Sequence, residues 1–235
     1  MKIIAMITAR STSSRFPRKH LADLGGKPMI CQIIAKLQQL ENVDDIVLAT
    51  TDNPADDDLT AEAYNNGASV FRGSESDLVS RHGNALQMAD ADYVLDVSGD
   101  CPFQDVRALQ MIVDAMLENP DYDCYGITGP YSSLPGMVAG GCALTWYSKA
   151  FRMYSKHTEE FTADQYWLAS NYYPQAFSSF TVDGSDLMPK TVTPMKMSID
   201  WLLENLFWNK VIEWLGYYPE TIEDFNKAFG GIKTL

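Results

Sequence analysis

Basic side chains are scarce in this chain: 18 Lys and Arg stand against 31 Asp and Glu, a formal net charge of -13 over 235 residues. Such a field repels a polyanion instead of gathering it along a basic track, so no nucleic-acid partner is expected. Long apolar runs are missing as well. None approaches the roughly 20 residues that span a bilayer, and no membrane insertion is expected. Cysteine is sparse, and Cys31, Cys101, Cys124 and Cys142 form neither a CxxC pair nor a metal-type spacing. Met1-Lys2-Ile3-Ile4-Ala5 carries no charged leader with a cleavable apolar stretch, so the expectation is a cytoplasmic protein with reduced thiols. Internal repeats, low-complexity segments and an interdomain linker are also lacking. What stays open is a small anionic ligand, because a few Arg and Lys in one loop make a locally positive pocket on an acidic protein.

The composition, 46% hydrophobic and 21% charged, is that of a folding globular chain. Its length suits one domain over 1–235. Residues 2–8 are nearly all apolar, as in a central parallel strand buried on both faces. Met29, Ile30, Ile33, Ile34 and Leu37 then recur at helical spacing over 29–40, and Asp45-Ile46-Val47-Leu48-Ala49-Thr50 reads as a returning strand. The alternation continues with helices near 58–66, 77–89 and 105–117 and strands at 69–71 and 92–97. This rhythm predicts an α/β fold, a doubly wound and mostly parallel sheet whose ligands sit at the carboxyl ends of the strands. Beyond 120, glycines and prolines break the pattern before an aromatic-rich stretch from Trp146 to Phe180. That stretch reads as core and interface packing.

Two loops at strand ends could carry chemistry. Ala9-Arg10-Ser11-Thr12-Ser13-Ser14-Arg15-Phe16-Pro17-Arg18-Lys19 packs four cations and four hydroxyls together. A triphosphate needs this mixture, with hydroxyl and backbone donors around its oxygens and Arg and Lys against the charge shed on a leaving pyrophosphate. No Gly-x-x-x-x-Gly-Lys-Ser/Thr is present, which disfavours a P-loop enzyme; the plain alternative is a solvated loop. In Ser98-Gly99-Asp100-Cys101-Pro102, Asp100 either holds a cation or caps the next turn. A third element, Lys196-Met197-Ser198-Ile199-Asp200, reads as a short alternating strand ending in an acid. Asp200 is either a partner of Asp100 or the cap of the helical segment 201–215.

With these elements in view the chain resembles the cytidylyltransferases that make CMP-activated acidic sugars, most closely the spore-coat polysaccharide branch (SpsF), relatives of the CMP-sialic acid and CMP-Kdo synthetases. Ala9, Arg10, Ser13, Ser14, Arg15, Phe16, Pro17 and Lys19 match the opening signature Ala-Arg-x-Gly-Ser-Ser/Thr-Arg-Leu/Phe-Pro-x-Lys. Further matches are Leu21 with Gly25-Gly26-Lys27-Pro28, Ala49 to Pro54 with Asp57 and Asp58, Val70 to Glu75, Asp77 with Arg81, and Ser98 to Pro102. The resemblance is near-continuous over 3–115, then thins to Ser198-Ile199-Asp200, with Lys196 where Arg is usual and Glu204 where a further Asp often stands. Thr12 and Arg18 replace customary glycines, and Thr8 a Gln or Pro. The loss of backbone freedom at Thr12 predicts a loop that wraps phosphates differently.

The resemblance implies a Rossmann-like nucleotide-diphospho-sugar transferase fold, with a small insertion at about 125–190 serving the acceptor and a homodimer interface. It implies transfer of CMP from CTP to a small acidic acceptor, a nonulosonic or Kdo-like sugar acid. Arg10, Arg15 and Lys19 are the implied catalytic residues. Ala9, Ser13, Ser14, Arg72, Asp77 and Arg81 join them at the nucleotide, Asp100 and Asp200 (with Glu204 as a weaker third) hold Mg2+, and Lys196 and His157 meet the acceptor. The alternatives are another base such as GTP or UTP, a phosphonate or phosphorylated acceptor, and a nucleotide-binding module without catalysis.

Overall fold

The structure, a computed structural model, describes residues 1–128, 140–143, 174–187 and 197–229. Strand β1 (Ile3–Thr8) lies at its centre. After it come a two-residue hairpin of β2 (Asp23–Leu24) and β3 (Lys27–Pro28), helix α1 (Met29–Leu37), β4 (Asp45–Thr51), α2 (Asp57–Asn65), β5 (Ser69–Gly73) and α3 (Leu78–Ala89). Then follow β6 (Tyr93–Ser98), α4 (Val106–Glu118), β7 (Cys124–Thr128), β8 (Gly140–Ala143), β9 (Ser179–Asp183), α5 (Leu202–Leu215) and α6 (Ile222–Phe229). Seven strands join in one sheet, ordered β5-β4-β1-β6-β8-β7-β9, in which β8 alone runs against the rest.

Every residue from Ile3 to Ile7 is buried, because helices cover both faces of β1. The strand's alternation sends Ile3, Ala5 and Ile7 into a core with α1, α2 and α4, and Ile4 and Met6 into a second core with α3. This is the doubly wound arrangement the alternating pattern predicts. The described parts of 125–190 supply β7, β8 and β9, which extend the same sheet; Phe177 is buried and Phe180 packs on Tyr122, ring centroids 5.2 Å apart. Most of the aromatic-rich stretch, with His157, and also Lys196 lie outside the described residues. Among those described, no helix is long and apolar enough to cross a membrane.

One expectation is corrected. Residues 197–200 form no strand. Ile199 N–H donates to the Asp100 carbonyl at 2.7 Å, and one such bond ties two loops without making a ladder. The helix that follows is held from two sides. The β2–β3 turn, with Gly25 and Gly26 both at positive φ as a tight hairpin requires, offers its backbone to Asn205 and Asn209. On the other side Phe103, just past β6, is fully buried against Trp208 of α5, Tyr218 and Phe225 of α6 at centroid distances of 4.6, 5.7 and 5.4 Å. Buried Asp105 accepts from the Arg107 and Ile222 backbones, fastening α6 to the start of α4.

Phe103→Ala is expected to lose about 3–5 kcal/mol of unfolding free energy, since it empties the centre of this aromatic cluster. Urea titration of the variant checks it, and a loss below about 1 kcal/mol would show that α5 is held by the hairpin alone.

Candidate active site

The chain leaves β1 toward β4 on one side of the sheet and returns to β6 on the other, so the ends of β1 and β6 lie at the point where strand order reverses. There helix crossovers diverge and leave a crevice. Thr8 and Ser98 are in register at this edge. Gly99 then turns so close beneath β1 that a Cβ there would stand 2.7 Å from the Thr8 carbonyl oxygen and 2.8 Å from Ala9 Cβ. A side chain at 99 would part the two strand ends. The cavity above them has a volume of about 480 Å³. Ala9, Arg10, Ser13, Ser14, Arg15, Lys19, Arg81 and Asp100 line it, together with Thr8, His20, Glu75, Ser76, Leu78 and Ser98.

Asp100 and Asp200, far apart in sequence, meet at the edge of this cavity. Lys19 Nζ lies 3.2 Å from Asp100 Oδ2 and 3.3 Å from Asp200 Oδ1, and Arg15 Nη2 is 2.8 Å from the same Asp200 oxygen. Neither acid acts as a helix cap. Asp105 caps α4, while Glu204 turns back to accept the backbone N–H groups of Asp200 at 2.6 Å and Trp201 at 3.1 Å. The Glu204 carboxylate is thereby engaged in capping α5. Burial pushes the Asp100 carboxyl up, but the Lys19 ammonium and a hydrogen bond from Ser98 outweigh it and hold the group below its ordinary value. Two hard carboxylates converging on a cation are a donor set that suits Mg2+, which takes one or two protein carboxylates and completes its shell with water and phosphate oxygens.

The cationic loop is shaped from behind by an acid. Asp56, fully buried, accepts the Ser11 N–H at 2.6 Å on one oxygen and both the N–H and hydroxyl of Thr51 on the other. Burial alone would raise its carboxyl; the bonds from Thr51 and Ser11 together prevail and lower it. Of the two customary glycines, Arg18 keeps the conformation of one: its φ is 57°, in the left-handed region, and its side chain pairs with Asp58 outside the cavity. Thr12 needs no such conformation. Its hydroxyl donates to Glu75 at 2.5 Å, Asn53 donates to the other Glu75 oxygen at 3.0 Å, and Arg10 Nη1 stands 3.7 Å from the first. Thr12 thus ties the loop across the cavity mouth to the segment after β5.

Two expected nucleotide residues stand away from the cavity. Arg72 is turned onto the Thr51 and Asn53 carbonyls and Asp57, bracing β5 to the turn before α2. Asp77 caps α3 by accepting Ser80 N–H at 2.9 Å. Arg81 does line the cavity, and also donates to the Ser74 carbonyl at 2.8 Å. Sequence reasoning passed over two buried histidines. His20 forms part of the cavity wall, and His82 Nε2 is 2.6 Å from the Thr8 hydroxyl. Burial holds both neutral, lowering His20 to about 4 and His82 to about 3. A lone His beside Lys19 and another within an amphipathic helix carry no spacing signal that would have exposed them.

Comparison with known proteins adds to this geometry. The cytidylyltransferase family matches residues 4–172. The spore coat polysaccharide biosynthesis protein SpsF of Bacillus subtilis is 29% identical over 132 residues, 54% of this chain and 55% of that protein. The 3-deoxy-manno-octulosonate cytidylyltransferase of Flavobacterium johnsoniae is 33% identical over 122 residues, 52% of this chain and 49% of that protein. The chain thus spans about half the length of these curated relatives. Among solved structures, a cytidylyltransferase from Leptospira borgpetersenii superposes with a TM-score of 0.81 at 22% identity, covering 98% of this chain and 94% of that one. A CMP:2-keto-3-deoxy-manno-octonic acid synthetase complexed with CTP gives 0.65 at 16% identity, with 91% and 99% covered. At these identities the superpositions establish the shared fold.

Two outcomes are expected from the loop and its support. Arg18→Gly should be more stable than Arg18→Ala by about 1 kcal/mol, since both lose the exposed pair to Asp58 and only alanine keeps the left-handed strain; equal denaturation midpoints would remove the strain. His82 binds its proton near pH 3 when folded and near 6.5 when unfolded. Its contribution is therefore complete above pH 6.5 and lost as the pH falls toward 3. Between pH 6.5 and 5 wild type should lose about 1.6 kcal/mol more than His82→Gln in urea titrations at the two pH values.

Proposed function

The chain belongs to the cytidylyltransferase family, and on that premise we propose that it transfers CMP from CTP to an acidic sugar of the Kdo or nonulosonic type, releasing pyrophosphate, in surface polysaccharide biosynthesis. The observation that carries this reading is the meeting of Asp100, Asp200, Lys19 and Arg15 at one edge of the crevice between β1 and β6. An acceptor oxygen attacks the α-phosphorus of CTP; the new O–P bond forms as the bond to the β-phosphate oxygen breaks, and the electron pair leaves on pyrophosphate. Such a transfer needs positioning and charge stabilisation, not a protein nucleophile.

The residues divide that work. Ser13 and Ser14, on the cavity wall, present hydroxyls to the phosphate chain, and Arg10 and Arg15, each about half exposed, supply guanidinium forks for its oxygens. Lys19 stands beneath them as a nearly buried point charge between the two acids. Asp100 and Asp200 would hold Mg2+, which when bound neutralises charge on the phosphates. Neutral His20 and the Thr8 hydroxyl close the floor and keep a further positive charge out of the wall. The acceptor's approach, with the proposed contacts of Lys196 and His157, falls outside the described residues. The second reading keeps the fold and changes the base, because nothing in a doubly wound sheet dictates cytosine.

The test is pyrophosphate release with Mg2+, run base by base and then with CTP across a panel of sugar acids, phosphonates and phosphorylated acceptors. Release with CTP and a sugar acid is expected; preference for another nucleotide, or binding with no release for any acceptor, would overturn the reading. Arg15→Ala, which removes a half-exposed side chain, should lower kcat at least about tenfold, or about 1.4 kcal/mol, with folding intact. Asp200→Asn should abolish metal-dependent turnover. Lys19→Ala is expected to lose stability as well as rate, since it leaves two neighbouring carboxylates without their cation.

A further inference from the structure

The segment from Asp100 to Gln104 leads from β6 to α4 without belonging to a strand or a helix, so no ladder supplies partners for its carbonyl groups. Three of them, at alternate positions, are taken by donors from three separate parts of the chain. The Asp100 carbonyl accepts the Ile199 N–H at 2.7 Å, the Pro102 carbonyl the Tyr218 hydroxyl at 2.9 Å, and the Gln104 carbonyl the Lys36 ammonium at 2.6 Å. Lys36 is the costly member of this set. It sits in the last turn of α1, where a lysine ordinarily turns out into water, and here it is only 4% exposed. Its bonded partner is a neutral carbonyl, with the Tyr218 ring 5.7 Å from the nitrogen. Burial pulls the ammonium down to about 8, against the opposing pull of Glu220, Asp105 and Asp224. The fold therefore gives up stability to keep a charge here, where a methionine would fill a similar volume without that cost.

We propose that Lys36 and Tyr218 are positioning residues for the reaction: from outside the cavity they fix the path of 100–104, and with it the direction of the Asp100 carboxylate. Neither is among the residues that line the cavity. The inference rests on the reading that Asp100 holds Mg2+. A carboxylate ligand has to be held to within about 0.5 Å, and one carried on a loop depends on outer groups for that precision. The Asp100 carbonyl also holds the Ile199 N–H, so a shift of 100–104 would pass to Asp200, the next residue. Both acids thus draw their placement from the same pinned segment. Phe103 packing alone anchors one side chain of that segment, whereas the two donors fix the backbone on either side of it.

Two variants and two readouts that need no turnover test it. Lys36→Met keeps the length of the side chain and removes its donor; Tyr218→Phe removes one oxygen and leaves the ring against Phe103, centroids 5.7 Å apart. In metal-free protein, hydrogen exchange of the Ile199 amide is expected to quicken by about fivefold or more in each variant. Urea midpoints should stay at the wild-type value or, for Lys36→Met, rise. Calorimetric binding of Mg2+–CTP without acceptor should weaken by about fivefold or more. Should Lys36→Met fail to fold, Tyr218→Phe carries the test alone. Unchanged exchange or unchanged Mg2+–CTP affinity in the variants, with binding lost in Asp100→Asn, would overturn the inference and leave the metal reading standing. Midpoints that fall in step with faster exchange would reduce the pair to packing and overturn it too. Asp100→Asn binding Mg2+–CTP as tightly as wild type would overturn the metal reading, and the inference with it.

Discussion

A nearly buried ammonium shared by two carboxylates is the constraint on which the site depends. Lys19 reaches Asp100 from one loop and Asp200 from another, and without it the two acids would repel each other at a low-dielectric edge of the sheet. The cation can be there because Arg18 accepts a left-handed backbone and turns the chain so that Lys19 enters the cavity while the Arg18 side chain leaves it. It stays there because Asp56 anchors the preceding part of the loop through Ser11. An acid that never touches the cavity thus decides where the loop's cations point.

Asp200 is delivered by different means. No strand carries it; α5 does, wedged between the β2–β3 turn and the aromatic cluster around Phe103. Phe103 follows Asp100 by three residues, so the group that packs α5 and the group that meets Asp200 leave the same strand end. Packing and chemistry are coupled over one short segment.

The parts of this fold that could be read from the sequence are those where one physical rule dominates. Ile3 to Ile7 are apolar because both faces of β1 are covered, and the loop after β1 is cationic beside a sheet edge, so the strand and the cavity-lining residues Arg10, Arg15 and Lys19 were legible together. Asp100 and Asp200 were legible as a pair through resemblance; their meeting depends on an aromatic cluster and two asparagine amides that no local pattern encodes. Arg72 and Asp77 are not among the residues lining the cavity. Arg72 braces β5 and Asp77 caps α3, roles that demand particular residues as strictly as a ligand does. The alternation in Lys196 to Asp200 suggested a strand, but the described residues 197–200 make one cross-loop bond and join no strand among the described residues. Gly25 and Gly26 were visible only as part of a motif, while their hairpin and its role as the seat of α5 came from the fold.

The charge balance of the cavity bears on which ligand it suits. Arg10, Arg15, Lys19 and Arg81 stand against Glu75, Asp100 and Asp200, and each of these acids is held against a cation of the set. Buried His20 and His82 stay neutral and add nothing. Four cations against three acids leave the crevice about one positive charge in excess, on a chain whose overall field is negative. A bare nucleoside triphosphate carries about four negative charges, more than the small positive excess of such a lining offsets. A triphosphate already bearing a divalent cation would differ: on the proposed reading Asp100 and Asp200 would hold that cation, leaving Arg15 and Lys19 for the phosphate oxygens. On the proposed reading the two acids restrain the cations until a metal–nucleotide complex replaces them, so that the anion and the metal recognise the site together or not at all.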